Sequence, residues 1–155
     1  MRYWLMKSEP ADCSIDDLVA HPTQNVPWVG VRNYQARNFM RDNMSVGDLA
    51  FFYHSSCPQP GIVGVVQISS AAYPDATQFD VHSKYYDAAS KPDAPRWLNV
   101  DVLLVRKLPL IALPKLRDQL ALSDLRILQR GNRLSITPVD AAHWEQIMQF
   151  STLQK

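Results

Sequence analysis

Cysteine is scarce in this chain, with only Cys13 and Cys57 among 155 residues and no C-x-x-C pair. A disulfide framework has nothing to build on, and His54-x-x-Cys57 lacks a second ligand pair at zinc spacing. We therefore expect no metal and no cofactor. Charge of one sign is just as sparse: 16 Lys and Arg against 15 Asp and Glu leave a formal charge of +1. No bulk attraction to nucleic acid follows, so any such binding needs a local basic patch and a specific pocket. Long apolar runs are missing as well. The opening run is too short for a signal-peptide core, and the others are strand-sized, well below a membrane span. The expectation is a cytoplasmic protein with reduced thiols, no membrane contact and a monomeric state. No G-x-x-x-x-G-K-[ST], G-x-G-x-x-G or G-x-S-x-G occurs, so the standard phosphate cradles and the nucleophile elbow are absent. What remains is ordinary globular composition, 46% apolar and 20% charged, which suits one domain over residues 1–155.

The chain is organised around Trp28-Val29-Gly30-Val31-Arg32-Asn33-Tyr34-Gln35-Ala36-Arg37-Asn38. Gly30 suits a helix N-cap or the turn before one, and no proline or glycine interrupts Val31 to Met44, which predicts a helix over that range. At helical spacing Ala36, Phe39, Met40 and Met44 share one arc, and Arg32 and Asn33 fall on the same arc. Buried arginine and asparagine need partners. Either they lie beyond the core edge and fix neighbouring loops, or the first turn and Trp28 wall a polar pocket. Tyr34, Arg37, Asn38 and Arg41 occupy the opposite arc, a solvated face or a phosphate-contacting one.

Residues 2–6 read as a buried strand that ends in Lys7-Ser8-Glu9. Ser14 caps a short helix that stops before His21-Pro22. Leu49–Tyr53 and Ile62–Ile68 are further strands. Residues 70–95 are mostly irregular, pinned by Tyr73, Phe79, Tyr85 and Tyr86. Arg96–Leu108 reads as the longest strand, followed by two short helices at 113–120 and 123–128. A strand at 134–137 leads into a helix that Thr137 caps and Pro138 opens, with Ala141, Trp144, Ile147 and Met148 as its buried face. Strands and helices without βαβ alternation point to an α+β domain with a mixed or antiparallel curved sheet, closing into a small barrel.

The histidines offer little for catalysis. His54 stands beside Ser55 and Ser56, but neighbours on a strand end do not supply the geometry that nucleophilic catalysis needs. Glu9 is a possible general acid or base, more simply read as a paired loop carboxylate. A binding pocket fits better. Trp4, Trp28, Tyr53 and Trp97 end strands or open helices, Trp28 in a loop between Pro27 and Gly30, and Lys7, Ser8, Asn33, His54, Ser55 and Ser135 stand close to them in sequence. A base held between aromatic faces, with hydrogen bonds to its edge, needs this mixture. Arg37, Arg41, Arg130 and Arg133 are candidate phosphate contacts flanking such a pocket.

Together with the central stretch, Tyr3-Trp4-Leu5-Met6-Lys7-Ser8-Glu9-Pro10, Phe51-Phe52-Tyr53-His54-Ser55, Gly61-Ile62-Val63-Gly64, Tyr85-Tyr86-Asp87 and Arg133-Leu134-Ser135-Ile136 resemble the EVE-domain family, in the right order along essentially the whole chain. The resemblance implies a PUA-like pseudobarrel, a mixed, curved sheet of five to six strands with peripheral helices, as in YTH and ASCH domains. It also implies a binding module rather than an enzyme. Its ligand would be a modified nucleic-acid base, 5-methyl- or 5-hydroxymethylcytosine in DNA, extruded into the pocket. Trp28, Asn33, Tyr34, Arg37, Tyr53, His54, Ser55 and Ser135 would line or border that pocket, with Lys7, Ser8 and Arg133 in second rank. Two other classes stay open: an RNA-binding module acting on tRNA, and a small enzyme acting on a modified base through Glu9 or His54.

Overall fold

A computed structural model describes residues 1–129 and 131–153. Its frame is a six-stranded sheet in the order β2-β7-β4-β3-β1-β8. In chain order these are β1 (Tyr3–Ser8), β2 (Val26–Pro27), β3 (Leu49–His54), β4 (Gly61–Ile68), β7 (Asp101–Ala112) and β8 (Ile136–Val139). A separate ribbon pairs β5 (Tyr73–Pro74) with β6 (Leu98–Asn99). The pair β1 and β3 is parallel and the other pairings are antiparallel, so the sheet is mixed. Register shifts between β3 and β4 at Phe52/Tyr53, and between β4 and β7 at two places, bend it into a half-barrel.

Alternation along the strands buries both faces. Trp4 and Met6 of β1 and Ala50 and Phe52 of β3 face one core, with Trp28, Ala36 and Met40. Leu5, Phe51 and Tyr53 face a second core with Leu122, Trp144 and Ile147. The first core is covered by α1 (Ile15–Ala20) and α2 (Tyr34–Asn38). The second is covered by α3 (Leu113–Arg117), two 3₁₀ turns at Leu120–Leu122 and Arg126–Leu128, and α4 (Ala141–Leu153). Helix α1 starts as expected: Ser14 accepts from the Asp17 N–H at 3.2 Å, and Asp17 accepts from the Ser14 N–H at 2.8 Å.

Several sequence expectations change. The helix expected from Val31 to Met44 starts only at Tyr34, because Asn33 is the N-cap, its Oδ1 accepting from the Ala36 N–H at 3.0 Å. It then widens into a π turn over Phe39–Asn43, where the Met44 N–H reaches the Phe39 carbonyl at 2.8 Å. Gly30 is therefore not the cap. The long strand breaks at Val100, whose carbonyl accepts from the Trp28 N–H at 2.8 Å, and resumes through Ala112. Pro109 is tolerated there because β2 covers β7 only at Asp101 and Val102. Of the helices expected at 113–120 and 123–128, only the five-residue α3 forms; extended backbone at Gln119 and Leu125 leaves the rest as the two 3₁₀ turns. Thr137 and Pro138 lie in β8 rather than opening α4, an edge strand where a missing N–H is harmless. Ala141 is exposed, and His143 takes its place on the buried side, bonded to Asp124 at 2.7 Å.

Residues 75–97 form an excursion with its own polar centre. The buried Gln78 amide donates to the Asp75 and Trp97 carbonyls at 2.7 and 2.8 Å and accepts from the Trp97 N–H at 3.0 Å. Of the aromatic residues expected to pin this segment, Tyr85 does so through Asp12, whereas Tyr86 is exposed.

Candidate nucleic-acid interface

Parallel pairing brings the ends of β1 and β3 to the same edge of the half-barrel, which delivers Lys7 and Ser8 beside Ser55 and Ser56. The ends are cross-braced: the Ser55 N–H donates to the Ser8 carbonyl at 3.0 Å, and the Lys7 N–H to the Ser135 carbonyl at 2.8 Å. Over this edge opens a cavity of about 770 Å³. Six of the expected binding residues line it together, Lys7, Ser8, Trp28, Ser55, Arg133 and Ser135, and so does Glu9, the candidate acid or base.

Trp28 forms part of the wall while 94% of it is covered; it is only 6% exposed and meets Phe52 edge-on at 5.2 Å. Tyr85, which also lines the cavity, packs its ring over Gly30. Gly30 has φ +86°, and a Cβ there would lie 2.5 Å from the tyrosine ring, so only glycine fits. The Gly30 N–H donates to Asp75 Oδ2 at 2.8 Å, and Arg32 Nη1 reaches the same oxygen at 3.1 Å. Arg32 also donates to the Tyr85 carbonyl at 2.8 and 3.1 Å and to the Thr77 hydroxyl at 3.1 Å. Burial pushes the Asp75 carboxyl up, but the bonds from Gly30, Thr77 and Arg32 together outweigh it and hold the carboxyl below its ordinary range. Of the two readings of Arg32, the structure takes the one in which it fixes a neighbouring loop, and that loop carries the tyrosine wall.

The rim is polar and carries both signs. Lys84 Nζ meets Asp12 Oδ1 at 2.5 Å, and the Tyr85 hydroxyl donates to Asp12 Oδ2 at 3.2 Å. The Lys84 hydrogen bond lowers the Asp12 pKa. Burial raises the Cys13 thiol, with Asp17 and Asp12 adding to it, and lowers the Lys7 ammonium. The Ser8 hydroxyl donates to the Cys13 carbonyl at 2.7 Å.

The other candidates lie elsewhere, so the expected grouping around one pocket does not hold for them. Asn33 is spent on capping α2. Tyr34 stacks on Trp97 at 4.7 Å, and Arg37 covers it at 4.8 Å while donating to the Arg96 carbonyl at 2.9 Å. Tyr53 points into the second core and lines a neighbouring cavity. His54 Nε2 accepts from the Ile15 N–H at 3.1 Å, which requires a neutral ring on that side, and burial lowers its pKa accordingly. Arg41 is exposed and forks onto Asp42 at 2.8 and 2.9 Å. Arg130 lies outside the described residues. Sequence reasoning missed Asp12, Cys13 and Lys84 as lining residues, and nothing in their local pattern marks them. Gly30 and Tyr85 were both inside family-matching stretches, and that was a usable signal. Among the described residues, no group of three or more His, Cys, Asp and Glu side chains could hold a metal ion, and no helix is long and apolar enough to cross a membrane.

A curved mixed half-barrel with peripheral helices is a PUA-like fold, and the open aromatic and polar cavity at its edge is a binding site in form. Within that class, the model of the EVE domain matches residues 2–150, and the chain belongs to the EVE-domain family. Thymocyte nuclear protein 1 of Mus musculus is 55% identical over 113 residues, covering 67% of this chain and 50% of that protein. The chain thus spans about half the length of this curated relative. A crystal structure from Pseudomonas putida is 49% identical with a TM-score of 0.91, covering 96% of this chain and 99% of the other. Human THYN1, in a crystal structure with DNA containing 5-methylcytosine, is 41% identical with a TM-score of 0.92, covering 97% and 98% of the two chains.

Proposed function

We propose that this protein reads a modified base in DNA, 5-methylcytosine or 5-hydroxymethylcytosine, extruded from the duplex into the cavity beside Trp28. The observation that carries this reading is the cavity: two aromatic residues, Trp28 and Tyr85, line it together with the polar groups of Lys7, Ser8, Ser55 and Ser135. Stacking faces plus edge donors are what a flipped base requires. The human relative's complex with methylated DNA, at high fold similarity, supports the same ligand class. Arg133 stands at the rim as a phosphate contact, and Arg41 serves the flanking backbone from the surface.

The protein acts as a reader and returns the base unchanged, working without metal or cofactor as one EVE domain. Its test is a binding comparison of matched duplexes with cytosine, 5-methylcytosine or 5-hydroxymethylcytosine, alongside RNA of the same sequence. Preference for a modified DNA duplex is the expected result. Equal affinity for all DNA duplexes, or a preference for the RNA, refutes the reading. Mass spectrometry of the recovered nucleosides checks for catalysis, and a converted base would make the protein an enzyme.

A further inference from the structure

A second cavity, of about 520 Å³, adjoins the first and shares Lys7, Ser55 and Ser56 with it. Its chemistry differs. The first cavity has Glu9 and Asp12 on its wall, whereas among the described residues no carboxylate lines the second, and the charged groups that do are Lys7 and Arg117. Lys7 is half-buried, and its ammonium has no acceptor among the described residues. A half-buried cation that lines a cavity and has no described acceptor is suited to an anion entering that cavity. The backbone adds a separate sign. Ser56, on the lip of both cavities, has φ +53°, a left-handed conformation that a non-glycine residue holds at a cost and that clusters at ligand clamps.

We propose that the second cavity is a phosphate subsite, holding the phosphodiester next to the base that enters the first cavity, with Lys7 as its central cation. The inference rests on the reading of the first cavity as the base site. The two cavities then form one track across the strand ends, base on one side of Lys7 and backbone on the other, with Arg117 at the far end. Ser55 and Ser56 stand at the junction, where hydroxyl and N–H donors suit a phosphate oxygen.

Two arms test it. Inorganic phosphate is titrated into the protein while the Ser55 and Ser56 amides are followed by NMR. A saturable shift is expected in the wild type, weakened about tenfold by Lys7→Gln and measurably by Arg117→Gln. The Lys7 backbone bond to Ser135 does not depend on its side chain, and a thermal melt verifies that both variants fold. A non-saturating drift, or an equal response from Lys7→Gln, overturns the subsite. In the second arm, a 5-methylcytosine duplex carries a neutral methylphosphonate at one of the two phosphates flanking the base. One of the two replacements should cost the wild type about tenfold and Lys7→Gln less than about twofold. Saturable inorganic phosphate with no cost from either methylphosphonate would show a free phosphate as the ligand and overturn the assignment to the DNA strand. Failure of the base reading looks different: methylated and unmethylated duplexes bind alike, which removes the strand assignment while the phosphate titration still saturates.

Discussion

Gly30→Ala probes how the tyrosine wall of the cavity is held. At φ +86° a side chain is strained by about 1–2 kcal/mol whatever surrounds it. The new Cβ also meets three Tyr85 ring carbons at 2.5–2.8 Å, so the ring has to move. Moving it disturbs the Tyr85 bond to Asp12 and the Arg32 guanidinium 5.5 Å from the ring centre. Overpacking of that kind costs about 1–3 kcal/mol. The whole perturbation should therefore cost about 2–5 kcal/mol. Urea unfolding in two backgrounds separates the parts. In Tyr85→Ala the ring is gone, and Gly30→Ala should cost only the backbone strain, about 1–2 kcal/mol. The coupling between the two sites is then about 1–3 kcal/mol, within the range that contacting residues show. Equal costs in both backgrounds, or a cost below about 1 kcal/mol in the wild type, would refute the close approach of ring and glycine.

Trp28→Ala should destabilise the fold by about 3–5 kcal/mol, since the indole is almost fully covered and packs against Phe52; Trp28→Phe, which keeps a ring, is the variant in which weaker base binding can be read by titration. Asp75 is held below the ordinary carboxylate range, so its contribution is complete above about pH 4–5 and is lost as pH falls toward the folded value. Asp75→Asn should accordingly flatten the acid limb of a urea-midpoint profile between about pH 7 and 3, and parallel limbs for variant and wild type would contradict this. Arg41→Ala removes an exposed pair and should change stability by less than about 1 kcal/mol. On duplex DNA it should flatten the slope of log K against log salt by about one unit and weaken modified and unmodified DNA alike. Loss of base preference in that variant would place Arg41 in the pocket instead.

Much of the frame was legible because burial writes itself into local periodicity. The runs Leu49–Tyr53 and Ile62–Ile68, and the capping pair Ser14 and Asp17, carry their structure within a few residues. The central helix was harder. Nothing apolar distinguishes Val31 from Tyr34 as a starting point, yet the asparagine between them is a strong N-cap and was the available clue. Pro138 misled for a related reason: Thr-Pro-Val-Asp reads as a helix start unless one knows that the segment lies on the edge of a sheet. The candidate site divides in the same way. Lys7, Ser8, Ser55 and Ser135 could be found because each sits at the end of an apolar strand. Asp12, Lys84 and Tyr85 meet across more than 70 positions of sequence, and no local pattern encodes that meeting. Asn33, Tyr34 and Arg37 shared a motif with Trp28, but helical geometry turned them toward capping and toward the Trp97 stack.

The excursion over residues 75–97 is bound to itself through Gln78 and to the body through polar contacts of Asp75, Tyr85 and Arg96 and through the Trp97–Tyr34 stack. Such a segment can detach as a cooperative unit while the sheet stays paired. Amide exchange should then reveal a partial opening, in which Thr77, Asp87 and Gly30 lose protection together and at a lower free energy than the strands β3 and β4. Opening of this kind would take away the tyrosine side of the cavity and leave the tryptophan side standing. A half-walled cleft admits a bulky nucleotide more readily than the intact cavity does, so the rate of base entry would be set by the hold of one buried carboxylate behind the cavity wall.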